Sequence, residues 1–338
     1  MQSGAIELRS GPLTLQVEPT SLCNLHCAIC GRQSWDETRN PPGEMPGWVL
    51  DAIRPALPSL LELVIGGYAE PTLGRALWPL LASAREAGCP VRLVTNGTRL
   101  DDAFCGKLLE AGLAHLVLSI DGAHEETMRR LRGVGAAATL ASLRTMAEAA
   151  RRLGLPCPEL HLSFTATRSN VAELPELIDR AAELGVRSVS AGHLKVYSPE
   201  MLPESLFHDP EAAAPALALA QERAAATGLR LQLPRFDRRG SACLMPFQML
   251  FVKWNGDVLG CCSAVFANDH YSLPVGSLAR QGLMELWNSV AIRNYRLAFR
   301  DKGEYPLPCR DCAFRFDTLQ AHTRLLRPGP DGEEAGPR

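Results

Sequence analysis

Three cysteines constrain this chain more than anything else in it: Cys23, Cys27 and Cys30, spaced C-x3-C-x2-C within LTLQVEPTSLCNLHCAICGR (13–32). The alternating Leu13, Leu15 and Val17 read as a strand with one buried face, so the thiols fall in the loop that leaves it. Three thiolates this close converge on one soft metal centre. A cubane held by three cysteines keeps one iron open for a substrate or cofactor. A zinc ribbon whose fourth ligand lies far along the chain is the alternative that this spacing leaves open.

A chain of 338 residues, 46% hydrophobic, has material for one large domain or for a main domain with an appendage. Its net charge is −2, and the longest basic cluster is only Arg129, Arg130 and Arg132. That leaves no electrostatic footprint for nucleic acid. No basic segment followed by an apolar one opens the chain, and no run of about 18 apolar residues occurs, so no membrane partner and a cytoplasmic location are expected. A reducing compartment argues against disulfides for the eleven cysteines, eight of which sit in tight groups, and metal ligation accounts for them better.

Along the chain, PPGEMPG (41–47) is a turn-rich connection and Trp48 to Leu57 a short helix. LLELVIGG (60–67) reads as a parallel strand buried on both faces. The alternation then repeats, with strands at 91–97, 115–122, 159–167 and 188–197 and helices over 76–87, 101–111, 136–153 and 174–184. Six strands in short βα units predict an α/β fold: a partial (β/α)6 TIM-like barrel spanning 13–198, with its polar residues at the strands' C-terminal ends. Residues 1–12 form an N-terminal extension and 199–235 a helical connector. From 236 to 326 a small C-terminal domain is expected. It holds a β-hairpin turning at Asn255-Gly256, a helix over 283–299 and the loop PLPCRDCAF (306–314). The tail, 327–338, has the composition of a disordered segment.

The cysteine triplet does not stand alone. With GGYAEP (66–71), TNG (95–97), LSIDG (118–122), HEETMRRLRG (124–133) and the later cysteines, residues 13–320 resemble the radical S-adenosylmethionine (SAM) enzymes that carry a C-terminal twitch domain, a shortened SPASM domain. The resemblance implies that Cys23, Cys27 and Cys30 hold a [4Fe–4S] cluster whose fourth iron is chelated by SAM. Gly66 and Gly67 let backbone approach a ligand, and Glu70 stands where the family's Gly-Gly-Glu-Pro motif meets the methionine amino group. Here two residues separate Gly67 from Glu70, and Ala69 replaces a frequent glycine. Thr95, Asn96, Ser119 and Asp121 end strands three and four, where they can meet a ribose. Taken singly, each is more readily a helix cap or turn former. Arg168 matches a residue placed for the SAM carboxylate, and Ile29, replacing a common aromatic, packs on adenine. Cys243, Cys261, Cys309 and Cys312 match the ligands of one auxiliary [4Fe–4S] cluster, with zinc again the alternative. The implied cofactors are therefore two [4Fe–4S] clusters and SAM. Cys89, Cys105 and Cys157 read as inert thiols.

For activity, the resemblance implies SAM cleavage to a 5′-deoxyadenosyl radical that abstracts hydrogen from an unactivated carbon, with a flavodoxin- or ferredoxin-type reductant as electron donor. Peptide modifiers of this kind often carry an N-terminal leader-binding domain, whereas only residues 1–12 precede strand one here. A small-molecule substrate is therefore expected. The reading is oxidation of a secondary alcohol to a ketone on a sugar-like or aminocyclitol intermediate of antibiotic biosynthesis, as in the aminocyclitol- and aminoglycoside-tailoring dehydrogenases. His193, Lys195 and Tyr197 occupy alternate positions ending strand six and can face such a substrate together, or form a barrel rim. Epimerisation with Cys262 as hydrogen donor, peptide modification, and a zinc-stabilised α/β binding protein remain as alternatives.

Overall fold

A computed structural model describes residues 6–34, 37–38, 41–236, 243–261, 273–301 and 309. Cys262, Cys312 and the 327–338 tail lie outside the described residues. The strands are β1 Thr14–Val17, β2 Glu62–Ile65, β3 Val91–Thr95, β4 His115–Ser119, β5 Glu159–Ala166, β6 Ser188–His193, β7 Arg230–Gln232, β8 Met249–Val252, β9 Asp257–Leu259 and β10 Pro274–Ser277. The helices are α1 Gly47–Ile53, α2 Leu77–Glu86, α3 Asp102–Glu110, α4 Glu125–Arg132, α5 Ala136–Leu153, α6 Leu174–Glu183, α7 Pro210–Thr227, α8 Met245–Gln248, α9 Leu283–Trp287 and α10 Val290–Asp301.

All ten strands form one sheet in the order β10-β9-β8-β1-β2-β3-β4-β5-β6-β7, parallel from β8 through β7. This is the expected α/β partial barrel, extended at one edge by strands of the C-terminal region. Two features go beyond the expected six strands. The connector contains a seventh βα unit, since α7 returns the chain to β7 beside β6. The β8–β9 hairpin does not stand apart from the barrel; β8 pairs in parallel with β1, Thr14 opposite Met249 and Val17 opposite Val252.

Burial alternates along the strands. Leu15, Val17, Leu63, Ile65, Leu93, Leu116 and Leu118 are fully buried, whereas Gln16, Val64, Arg92, Val94 and Val117 between them are half-buried. The expectation that 60–67 is buried on both faces is thereby corrected: β2 buries alternate residues because only one face of the partial barrel is covered by helices. Local signals set the helix ends. Asp101 caps α3 by accepting from the Phe104 N–H at 2.8 Å, and Gly154 ends α5 at φ 64°. The expected helix over 283–299 is broken into α9 and α10 at Asn288 and Ser289. Among the described residues no helix is long and apolar enough to cross a membrane.

A buried guanidinium joins the two ends of the described chain. Arg296 is fully buried and donates to the carbonyls of Pro246, Ile6 and Trp287, each at 2.8 Å, and to Asn288 Oδ1 at 3.0 Å. It also lies 4.2 Å from the Trp287 ring centroid, a cation–π contact. Burial lowers its pKa to about 10, so it stays charged at neutral pH. Arg296→Ala leaves the carbonyls of Pro246, Trp287 and Ile6 without this donor, two of them buried, and should destabilise the fold by about 3 kcal/mol. Denaturant unfolding checks this, and a loss under about 1 kcal/mol contradicts it.

Candidate active site

The cysteine loop leaves the C-terminal end of β1, next to the middle of the sheet. Several bonds fix it before any ligand is considered. Ser21 N–H donates to the Gly43 carbonyl (2.9 Å) and Gly43 N–H to Ser21 Oγ (2.8 Å). Asn24 donates to Thr98 Oγ1 (2.8 Å) and accepts from Asn96 Nδ2 (2.9 Å). Ala28 N–H donates to the Leu131 carbonyl at the end of α4 (2.8 Å). Cys23, Cys27 and Cys30 are free, half-buried thiols. Burial pushes the Cys27 thiol up to about 11 and raises Cys30 as well, while the Arg132 guanidinium pulls both back toward the thiolate. Thiols that burial protonates and that a neighbouring cation favours as thiolates suit a cationic metal centre, which ligates the thiolate form.

A cavity of about 360 Å³ opens beside them, lined by Cys27, Ile29, Cys30, Tyr68, Asp121, Arg132, Ser163, Thr165, Ser190, Gly192, His193, Lys195 and Tyr197 among others. Asp121 is buried, accepting from Arg132 Nη1 (2.6 Å) and from the Thr165 N–H (2.6 Å). Arg132 lines the cavity, and its Nε is buried with no hydrogen-bond partner among the described residues. Ile29 packs with Leu194, Val196 and Met201. His193 stacks on Phe207 (centroids 4.3 Å apart) and meets the edge of Phe236 (5.0 Å). Its Nε2 lies 2.8 Å from the Arg235 carbonyl, and burial holds its pKa below the usual value.

Other expected site residues serve the framework. Glu70 is buried, and its carboxylate accepts from Thr72 N–H (3.1 Å), Thr72 Oγ1 (2.6 Å), Thr95 Oγ1 (2.6 Å) and Asn96 N–H (2.7 Å). Glu70, Thr95 and Asn96 thereby tie β2 to β3, and Asn96 passes that rigidity on to Asn24 in the cysteine loop. Gly66 accepts from Gln16 Nε2 (3.1 Å). At Gly67 an added Cβ would sit 2.7 Å from Glu18 Oε1. Ser119 is half-buried on β4, outside the cavity lining. Arg168 is exposed and donates to the Pro203 carbonyl (3.3 Å), so it too lies off the cavity. Cys243, Cys261 and Cys309 are half-buried; Tyr295 of α10 packs near Gly260, and its hydroxyl titration is raised by burial and by Cys309.

Three site residues escape sequence reasoning. Arg132 reads as part of a surface basic cluster, Tyr68 as a turn residue and Glu18 as an unremarkable strand end. Only the spacing of Arg132 after LSIDG carried a usable signal. Glu18 is buried beside the cysteine loop: Oε1 accepts from Tyr68 N–H (3.2 Å), and Oε2 has no hydrogen-bond partner among the described residues.

With this geometry in place, comparison with known proteins is informative. Residues 17–158 match the radical SAM superfamily, and residues 243–313 match the SPASM iron-sulfur cluster-binding domain. The chain is 24% identical over 315 residues to the tungsten-containing aldehyde ferredoxin oxidoreductase cofactor-modifying protein of Pyrococcus furiosus, covering 89% of this chain and 87% of that one. It is 28% identical over 312 residues to the PqqA peptide cyclase of Gluconobacter oxydans, covering 90% and 84%. Among solved structures, anSMEcpe with bound AdoMet superposes with a TM-score of 0.66 at 18% identity, covering 93% of this chain and 94% of that one. SuiB of Streptococcus suis bound to precursor peptide SuiA gives 0.65 at 16%; the match covers 84% of this chain but only 66% of SuiB, just under two thirds. BtrN in complex with AdoMet and 2-DOIA gives 0.52 at 14% identity, covering 87% and 89%. At these identities the solved structures establish the fold. The cofactors of the two matched domains are SAM and [4Fe–4S] clusters.

Burial raises the Glu18 carboxyl from 4.5 to about 7, against the pull of the Tyr68 N–H, Lys253 and Arg32. The folded chain thus holds this proton more tightly than the unfolded one, so the stability it contributes is present below about pH 4.5 and is lost as pH rises through about 7. Glu18→Gln cannot ionise. In the cluster-free chain it should unfold like wild type near pH 5 and be more stable near pH 8, by up to about 3 kcal/mol. Denaturant midpoints at the two pH values check this, and a variant no more stable than wild type near pH 8 contradicts it.

Proposed function

We propose that this chain, a radical SAM enzyme with a SPASM region, modifies a peptide by hydrogen abstraction at the cavity beside its cysteine loop. The observation that carries the reading is its similarity over about nine-tenths of its length to a PqqA peptide cyclase. The likenesses to SuiB and to BtrN are both of fold alone, so neither selects a substrate. Oxidation of an aminocyclitol alcohol ranks second, because neither relative similar along nearly the whole chain supports it.

In this reading Cys23, Cys27 and Cys30 hold the SAM-binding cluster, and Cys243, Cys261, Cys309 and Cys312 an auxiliary one. Bound SAM and the reduced cluster supply the 5′-deoxyadenosyl radical that abstracts hydrogen. The protein's own residues position and shield. The Asn24–Asn96 and Ala28–Leu131 bonds hold the loop still, and Arg132, braced by Asp121, brings its positive charge to the cavity for an anionic group of the cofactor or substrate. Ile29, with Leu194 and Val196, makes one wall apolar and keeps water from the reacting carbon.

His193 shapes the cavity wall. Because a carbonyl only accepts, the short contact to Arg235 assigns a ring proton to Nε2. The imidazole, gripped between Phe207 and the edge of Phe236, is fixed in one orientation beside the substrate.

The test is anaerobic incubation with SAM, reductant and either short peptides encoded beside the gene or free aminocyclitols. The expected product is a peptide lacking two hydrogens, formed with an equal amount of 5′-deoxyadenosine: one leaves as a hydrogen atom to the radical, the other as a proton to solvent, and its electron would pass to the auxiliary cluster. A ketone from the aminocyclitol, with every peptide unchanged, contradicts the proposal. His193→Gln should lower product formation at least about tenfold while SAM cleavage continues; unchanged product would remove His193 from this role.

A further inference from the structure

The half-buried face of the sheet has two ends, and only the end at the strands' C-termini is occupied by the cavity. At the opposite end, His115 opens β4 while Glu159 and His161 open β5, and one donor atom from each lies within 4.8 Å of the others. His161 Nε2 is 3.4 Å from His115 Nδ1 and 3.7 Å from Glu159 Oε2, and His115 Nδ1 is 3.9 Å from the same oxygen. A point equidistant from three atoms so spaced lies about 2.1 Å from each, the length of a zinc–nitrogen or zinc–oxygen bond.

The outward sides of both rings explain why these atoms converge. His161 Nδ1 lies 2.7 Å from Ser188 Oγ, so a hydroxyl orients that ring from behind. His115 Nε2 is directed at Glu62 Oε1, 3.6 Å away, and Glu62 is itself held by Arg92 Nε at 2.8 Å. With the ring protons on these outer nitrogens, the inner nitrogens and the Glu159 oxygen are three acceptors facing one another with no proton among them. A cation relieves that arrangement, and rings oriented from behind by an oxygen are the usual second layer of a histidine metal site. The nearest protein cation on Glu159 is Arg230 Nη2, 3.7 Å from the same oxygen and mostly exposed.

We propose that His115, Glu159 and His161 bind a zinc ion. Two imidazoles and one carboxylate suit zinc, and they lack the thiolates that would draw iron-sulfur chemistry. Glu159 is 48% exposed and His115 25%, so the ion has a route in from solvent and a coordination position left for water. The site joins β4 to β5 at the end of the sheet away from the cysteine loop and acts as a structural clamp.

Zinc and iron are measured on the cluster-reconstituted holoenzyme after exposure to zinc chloride and desalting. The expected result is one zinc per chain alongside an unchanged iron content. His161→Gln and the half-exposed Glu159→Gln should each cut retained zinc at least about tenfold without altering iron. X-ray absorption at the zinc edge should show nitrogen and oxygen neighbours at about 2.0–2.1 Å and no sulfur. No retained zinc, zinc retained equally by both variants, or sulfur in its shell would overturn the site. In the first case the three residues are a hydrogen-bonded network, with His161 Nε2–H donating to His115.

Discussion

The structure depends on the double parallel pairing of β1. It binds β2 on one side and β8 on the other, with Thr14 to Val17 opposite Glu62 to Ile65 and Met249 to Val252. A strand with neighbours on both sides cannot slip without moving every side chain to the wrong face. The loop leaving β1 carries the three cysteines, so their position is set by a strand paired on both sides. The same pairing brings the C-terminal region into the barrel's own sheet, and Glu18, the first residue after β1, donates its N–H to the Val252 carbonyl at the seam (3.0 Å).

Much of this was legible in the sequence, for identifiable reasons. The βα alternation from β2 to β6 showed in apolar runs bounded by turn residues, and α5 falls on its predicted span, 136–153. The cysteine triplet announced its chemistry because few other arrangements use three thiols so close together. Other features needed coordinates. A three-residue strand such as β7 leaves no periodicity, and the pairing of β8 with β1 is a contact across more than two hundred residues. Glu70, Thr95 and Asn96 were visible as polar residues at strand ends. Whether such residues face a ligand or one another depends on side-chain directions that spacing does not encode, and here they bond to one another. Arg132 lies on α4 among other arginines, and nothing in a run of like charges marks the one that turns inward.

The substrate is where a sequence-only reading and the relatives diverge. The resemblance read from the residues alone points to a sugar-like small molecule, whereas a relative similar along nearly the whole chain is named a peptide cyclase. The cavity itself accepts either reading, since hydroxyls from Ser163, Thr165 and Ser190 and a glycine at 192 offer hydrogen bonds and room without a charge pattern that selects one. What both readings share is the cysteine loop, the Asp121–Arg132 pair and the neutral His193, so the chemistry is better defined than the molecule on which it acts.

The central claim is that the loop clamped at the end of β1 presents an open iron to SAM. Electron paramagnetic resonance of the anaerobically reduced protein, recorded with and without SAM, tests it most directly. The account predicts that SAM changes the signal of one cluster in the wild type, and that a variant with Cys23, Cys27 and Cys30 all replaced by Ala keeps only a signal that SAM leaves unaltered. A wild-type spectrum indifferent to SAM, or a triple variant that still responds to it, would contradict the account.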